Sequence, residues 1–208
     1  KVLEIPTHPE TGISLEVLEL ALEQWPVTVV QLTPTCNGPL GYNMPIENKK
    51  RLIELAVRYD IPIIEDDIYG DLSYQSPRPP TIKSFDTDGR VLLCSSFSKT
   101  IAPGFRVGWM APGRYLNQAL HLKYVVTACN STFPQSAIAE FIAQGDYERH
   151  IRKIRKQYQQ NRDAMISWIE KYFPENTRIS HPQGGFLLWI ELQADIDTVA
   201  LNEKCLEQ

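Results

Sequence analysis

Lys99 stands in the run Ser95-Ser96-Phe97-Ser98-Lys99-Thr100-Ile101-Ala102-Pro103-Gly104-Phe105-Arg106-Val107-Gly108-Trp109. A lysine amine can condense with an aldehyde. Hydroxyls on either side of it, with a guanidinium seven residues on, can hold a phosphate. Pyridoxal 5'-phosphate carries both groups, so the run can hold that cofactor. Taken alone, the same run also reads as a polar loop. Two more segments weigh against the bland reading. They are Ile64-Glu65-Asp66-Asp67-Ile68-Tyr69-Gly70-Asp71-Leu72 and Thr33-Pro34-Thr35-Cys36-Asn37-Gly38-Pro39-Leu40-Gly41-Tyr42-Asn43-Met44-Pro45.

A pyridinium ring works as an electron sink only while its nitrogen stays protonated, and a carboxylate beside it does that. Asp66 and Asp67 are both candidates on residue type. Their competing reading, with Glu65, is a solvated acidic turn. Arg106 is either a phosphate ligand or an ordinary surface arginine. The apolar neighbours Phe105, Val107 and Trp109 predict a mostly buried segment there, which favours the ligand.

The elements that must position these residues follow from local pattern. Residues 27–32 form a β-branched run, 62–65 a second short strand and 91–95 a third. Residues 47–59 form an amphipathic helix behind Pro45, with Leu52, Ile53, Ala56 and Val57 on one side. Strand, helix and strand at this spacing imply a right-handed crossover and a parallel sheet. Ser14 caps an earlier helix through Gln24, with Leu15, Leu18 and Leu22 on its buried face. Residues 106–111 read as a further strand after a Pro-Gly turn. Residues 1–6 also read as a strand.

Helices are expected over 115–127 and 134–144. A long one follows over 146–172, its stripe of Tyr147, Ile151, Ile154, Tyr158, Met165, Ile169 and Tyr172 read as core packing. Pro174 and Asn176 stop it. Residues 186–192 form a strand after the turn Pro182-Gln183-Gly184-Gly185, and Asp197 caps a last helix. The segment 77–80 is a Pro-rich loop. Each chemistry-bearing segment follows the carboxyl end of a predicted strand, the edge where open parallel sheets bind ligands. The three loops should therefore converge on one cleft.

Composition narrows the classes further. The chain has 208 residues, 43% hydrophobic, with a net charge of −4, enough to bury a sizeable core. No basic block of nucleic-acid type occurs. The densest cationic stretch, residues 149–156, is broken by Ile151 and Ile154 and reads as the wet face of a helix, so this segment is not expected to bind DNA itself. Cys36, Cys94, Cys129 and Cys205 lie far apart and form no metal-ligand spacing; Cys94, inside an apolar strand, is expected to be buried. Reduced thiols in the cytoplasm are the expected state. No signal peptide or long apolar run is present. No Gly-x-Gly-x-x-Gly follows any strand, which disfavours a dinucleotide-binding or flavodoxin-like module.

In this order the three motifs resemble the large domain of fold-type I aminotransferases. The whole is most similar to the aminotransferase-like half of GntR-family regulators of the MocR type, from about Val2 to about Leu192. The resemblance implies an α/β fold with a mostly parallel sheet flanked by helices, plus the first part of a small α+β domain. It places a large domain over residues 1–145, a linking helix over 146–172 and the start of the small domain over 173–208.

The resemblance also assigns roles. Lys99 forms the Schiff base, Asp66 pairs with the ring nitrogen, Tyr69 reaches the ring hydroxyl, and Ser96, Ser98 and Arg106 hold the phosphate. The family's enzymes usually carry Asn immediately before the Pro of the first turn, where this chain has Gly38; Asn37 is one residue early. Regulators of the MocR type vary at this position, so Gly38 fits a binding domain better than an efficient transaminase. The family's phosphate loop, ring-stacking aromatic and substrate-carboxylate arginine fall outside the chain.

The expectation is a piece of a longer polypeptide, a PLP-responsive transcription regulator, with a free aminotransferase acting on an amino acid and a 2-oxo acid as the alternative. The chain alone should hold PLP weakly or not at all and should not transaminate. An amino acid is a possible second ligand. The parent should be a homodimer that reaches DNA only through a separate N-terminal domain.

Overall fold

A four-stranded sheet organises the chain, and its strands extend only as far as their neighbours can pair them. The computed structural model describes residues 2–207. A hairpin of β1 (Thr7–His8) and β2 (Gly12–Ile13) precedes α1 (Leu15–Gln24). The sheet follows as β3 (Val30–Leu32), β4 (Ile63–Asp66), β5 (Val91–Ser96) and β6 (Gly108–Ala111), adjacent in that order. β3, β4 and β5 are parallel, and β6 returns antiparallel to β5. α2 (Ile46–Arg58) is the crossover from β3 to β4. Then come α3 (Leu116–Thr127), α4 (Thr132–Ala143), the long α5 (Asp146–Tyr172), a small hairpin of β7 (Arg178–Ile179) and β8 (Ile190–Glu191), and α6 (Thr198–Leu206). The fold is α/β, as the strand–helix–strand spacing requires.

Two apolar clusters hold it. In the larger, Leu18 of α1 and Leu52, Leu55 and Ala56 of α2 pack on Ile63 and Val91 of the sheet. Each of the buried leucine, isoleucine and valine side chains contributes roughly 1.5–3 kcal/mol. Ser14 caps α1 by accepting the Val17 amide at 3.3 Å. The smaller cluster joins Leu72 to Tyr147 and Ile151 of α5, with Tyr69 and Phe97 against it. α5 is thereby fastened to the loops that follow β4 and β5.

Several local expectations shift, each for a tertiary reason. Residues 27–29 are not strand, because β4 begins at Ile63 opposite Val30 and offers those residues nothing to pair with. Residues 2–6 are not strand either; the first pairing is the β1–β2 hairpin. Lys1 lies outside the described residues. The strand expected over 106–111 starts at Gly108, because Arg106 turns left-handed at φ 52°. Residues 186–189 stay irregular, and only Ile190–Glu191 pairs, with Arg178–Ile179. Of the α5 stripe, Tyr147, Ile151 and Ile169 are buried, whereas Met165 and Tyr172 are exposed. Cys94 is half-buried rather than buried, and Cys36 is the buried thiol.

Candidate cofactor site at the carboxyl edge of the sheet

The parallel strands deliver three loops to one edge. β4 and β5 run in register, with Asp66 opposite Cys94, so Asp66 lies two residues short of the level of Ser96 on the next strand. The Asp67 amide donates to the Cys94 carbonyl at 2.8 Å, and the Ser95 hydroxyl donates to the Asp67 carbonyl at 3.1 Å. These bonds tie the two loops together as they leave the sheet.

The acidic triplet divides its labour. Glu65 is buried and accepts the amides of Ile82 and Lys83 at 2.7 and 2.8 Å. Asp67 is buried and accepts two bonds from the Arg78 guanidinium, at 2.7 and 2.5 Å. Burial pushes both carboxyls above their ordinary values. Asp66 alone is half-exposed and, among the described residues, takes only the Ile68 amide, at 3.1 Å. Of the two aspartates that residue type left open, only Asp66 keeps acceptor capacity for a ligand. Three residues on, burial pushes the Tyr69 hydroxyl above the ordinary tyrosine value, and the Asp66 carboxylate adds to the effect. That hydroxyl stays protonated and able to donate.

Lys99 and Tyr69 both approach the Phe186 ring. The Lys99 ammonium lies 5.9 Å from the centre of the Phe186 ring, whose edge-to-face partners are Tyr69 at 5.7 Å and Tyr158 at 5.4 Å. The loop carrying Phe186 is sewn to the segment after Tyr69. The Tyr74 hydroxyl donates to the Gly185 carbonyl at 2.7 Å, and the Gly185 amide donates to the Leu72 carbonyl at 3.1 Å. Gly184 is obligatory there, because a Cβ would collide with the Cys36 sulfur and the Ser73 backbone. Burial pushes the Cys36 thiol up to about 12, so it is an inert part of the packing.

The phosphate candidates lie beside Lys99. Ser96 ends β5, and its hydroxyl accepts the Ser98 amide at 3.3 Å. Arg106 lies in the turn just before β6, where the Phe97 amide donates to the Val107 carbonyl at 3.0 Å. The expectation of a mostly buried segment does not hold: Phe105, Trp109 and Met110 are 37%, 46% and 49% exposed. Arg106 is exposed too, and its guanidinium donates to the Pro103 carbonyl of its own turn at 3.3 Å. It stands at the correct edge without being aimed inward.

The Asn37–Gly41 turn closes the third side. A Cβ at Gly38 would sit 3.2 Å from a Leu187 methyl and 3.4 Å from the Tyr69 ring, so this position faces Tyr69. Asn37 does not replace a side chain there; its amide donates to the Thr33 carbonyl at 3.1 Å. Phe186 and Tyr158 were not singled out from the sequence as site residues. The Gly-Gly pair before Phe186 was the available signal, since paired glycines mark a backbone that must pass close to something.

The donor set therefore fits pyridoxal phosphate in kind: an amine, a carboxylate with open acceptor capacity, a protonated phenol, two hydroxyls and a guanidinium on one sheet edge. The chain as a whole is similar to known proteins. The sequence profile of the family described as aminotransferase class I and II matches residues 1–208. The HTH-type transcriptional regulator YjiR of Escherichia coli K12 is 56% identical over 201 residues, covering 97% of this chain and 43% of the relative. Aromatic-amino-acid aminotransferase 1 of Thermococcus litoralis is 36% identical over 210 residues, covering 98% of this chain and 50% of the relative. The structure of kynurenine aminotransferase from Pyrococcus horikoshii in complex with PMP superposes with a TM-score of 0.90 at 35% identity, covering 99% of this chain and 52% of that one. The chain thus spans about half the length of these relatives.

Proposed function

We propose, from the premise that this chain belongs to the class I and II aminotransferase family, that it is the central part of a PLP-binding effector domain in a MocR-type transcription regulator. The fold is that of fold-type I aminotransferases. When bound, PLP supplies an aldehyde for an amine and a protonated ring that draws electrons from it. Lys99 is the amine that holds the aldehyde. Asp66 keeps the ring nitrogen protonated, Tyr69 donates to the ring hydroxyl, and Ser96, Ser98 and Arg106 hold the phosphate.

One observation carries this reading: Lys99 and Tyr69 both approach the Phe186 ring, and Tyr69 follows by three residues the aspartate of the Asp66–Asp67 pair that Arg78 leaves free. Borohydride reduction of the full-length protein with PLP should change its absorbance spectrum and mark Lys99. A mark on Lys83 or Lys123 instead would remove the assignment.

A free aminotransferase acting on an amino acid and a 2-oxo acid is the second reading, kept by the 36% identity to an aromatic aminotransferase. The regulator is preferred because identity to an HTH-type regulator is 56% and because Gly38 has no side-chain amide to offer the ring. A basic winged helix encoded upstream of Lys1 would decide between them.

The division into a large domain over 1–145, a linking helix over 146–172 and a small-domain start over 173–208 belongs to the same proposal. So does a cytoplasmic location; no helix among the described residues is long and apolar enough to cross a membrane. The effector would be PLP with an amino acid, and DNA would be met only by a separate N-terminal domain. A homodimeric parent is supported by the apolar surface left open on β6 and α3, where Trp109, Leu120, Tyr124 and Val126 are exposed. Sedimentation of the PLP-saturated parent as a monomer would contradict it. This chain alone is expected to bind PLP weakly, with no turnover of amino acids.

A further inference from the structure

Arg78 comes from the Pro-rich loop that composition marks only as a connector. Its guanidinium reaches two carboxylates at once. One nitrogen donates to both oxygens of buried Asp67, at 2.7 and 2.5 Å, and the other to Asp71 Oδ1 at 2.5 Å. Asp67 and Asp71 bracket the turn that carries Tyr69, and Asp66 is the residue just before. The clamp passes directly over Gly70, where any Cβ would land inside the guanidinium and the Asp67 carboxylate.

The clamp continues outward on both sides. The second oxygen of Asp71 accepts the Tyr147 hydroxyl of α5 at 2.7 Å, and Arg155 of α5 donates to the Asp71 carbonyl at 2.6 Å. On the other side, the loop that carries Arg78 is held by fully buried Lys49. That ammonium donates to the Pro80 carbonyl at 2.6 Å and to the Thr35 hydroxyl, in the loop after β3, at 3.3 Å. One polar network thus links the loops after β3 and β4 to the long helix.

We infer that Arg78 is a positioning residue: by bridging Asp67 and Asp71 across the intervening turn, it sets where Asp66 and Tyr69 present their polar atoms. It touches neither of them. The planar fork is essential, because two acceptors on separate sides of a turn need two nitrogen edges held at a fixed angle, which a lysine ammonium does not supply. The inference rests on the PLP reading of Asp66 and Tyr69.

The test uses the full-length protein with Arg78→Lys and Tyr147→Phe, beside wild type and Lys99→Ala. Arg78→Lys keeps the charge and so tests geometry. Expected for it are a PLP dissociation constant about tenfold weaker, the worth of one charge-assisted hydrogen bond, and a changed ratio of the bound cofactor's absorbance bands. Without PLP, amide exchange over residues 67–71 should be faster. Tyr147→Phe should move all three in the same direction by less. A lower melting temperature for Arg78→Lys with wild-type PLP affinity and band ratio would overturn the inference, because the clamp would then serve only the fold. Wild type that binds PLP no better than Lys99→Ala would instead overturn the PLP reading, and the positioning role would fall with it.

Discussion

The two ends of the candidate site are built differently. Around Asp66 and Tyr69 the loop is clamped: Arg78 spans it, Glu65 and Asp67 are buried beneath it, and α5 bonds to its far side. Around Ser96, Ser98 and Arg106 the turn is loose. Arg106 is exposed and bonds to its own Pro103 carbonyl, and the β6 strand next to it leaves Trp109 and Met110 open. The Asp66–Tyr69 end is thus held by residues of this chain, whereas the Ser96–Arg106 end offers donors without a wall. Buried charge networks hold geometry because leaving any member unpaired is costly. Exposed guanidiniums sample many orientations at little cost.

The largest effect should come from the residue that joins both ends. Lys99→Ala in the full-length protein should abolish borohydride-fixed PLP altogether; peptide mapping reads this directly. The next contrast lies within the clamped end. Asp67→Ala should cost about 3 kcal/mol of stability, the low end for breaking a buried ion pair, because Arg78 keeps some solvent contact. Asp66→Ala should cost less than about 1 kcal/mol yet alter the PLP spectrum more. Denaturant melts and spectra that treat the two variants alike would remove the distinction drawn between the neighbouring aspartates.

At the loose end, Arg106→Ala should weaken PLP by about tenfold while shifting stability by no more than about 0.5 kcal/mol, the usual range for an exposed site. A large loss of stability would show that this turn is also clamped.

The smallest effect concerns the turn that leads into β5 on the clamped side. Burial alone would raise the Asp86 carboxyl, but the Lys83 ammonium and the amides of Val91 and Arg90 pull it down to about 2 from 3.8. A depressed folded-state value means stability that is present above about pH 4 and is lost as pH falls through about 2. The melting-temperature gap between wild type and Asp86→Asn should therefore be widest near neutrality and close in acid. A gap that stays constant with pH would contradict it.

Much of this was readable from local pattern. The cap at Ser14 and the 146–172 span of α5 depend on interactions within a few residues, and the helices have those bounds. The parallel arrangement of β3, β4 and β5 was legible too, since the helical crossover between the first two admits little else. Strand ends were not legible. Residues 27–29 are as β-branched as Val30 but have no strand partner, and residues 186–188 are as apolar as Ile190 yet pass the aromatic cluster outside any strand. A strand's length is a property of two segments, and only one is visible locally.

The sequence by itself determined which side chains stand after which strands, and so which amine, carboxylates, phenol, hydroxyls and guanidinium share one edge. That followed from residue type, spacing and helix periodicity, all short-range quantities. Tertiary structure alone decided how those groups are committed. It gave Asp67 to Arg78 and left Asp66 open, gave Glu65 to the amides of Ile82 and Lys83, left Arg106 in solvent, and made the 77–80 loop the source of a clamp. The physical reason is that hydrogen bonds and burial are settled between segments far apart in the chain. A carboxylate's neighbours in sequence do not say which guanidinium reaches it in space.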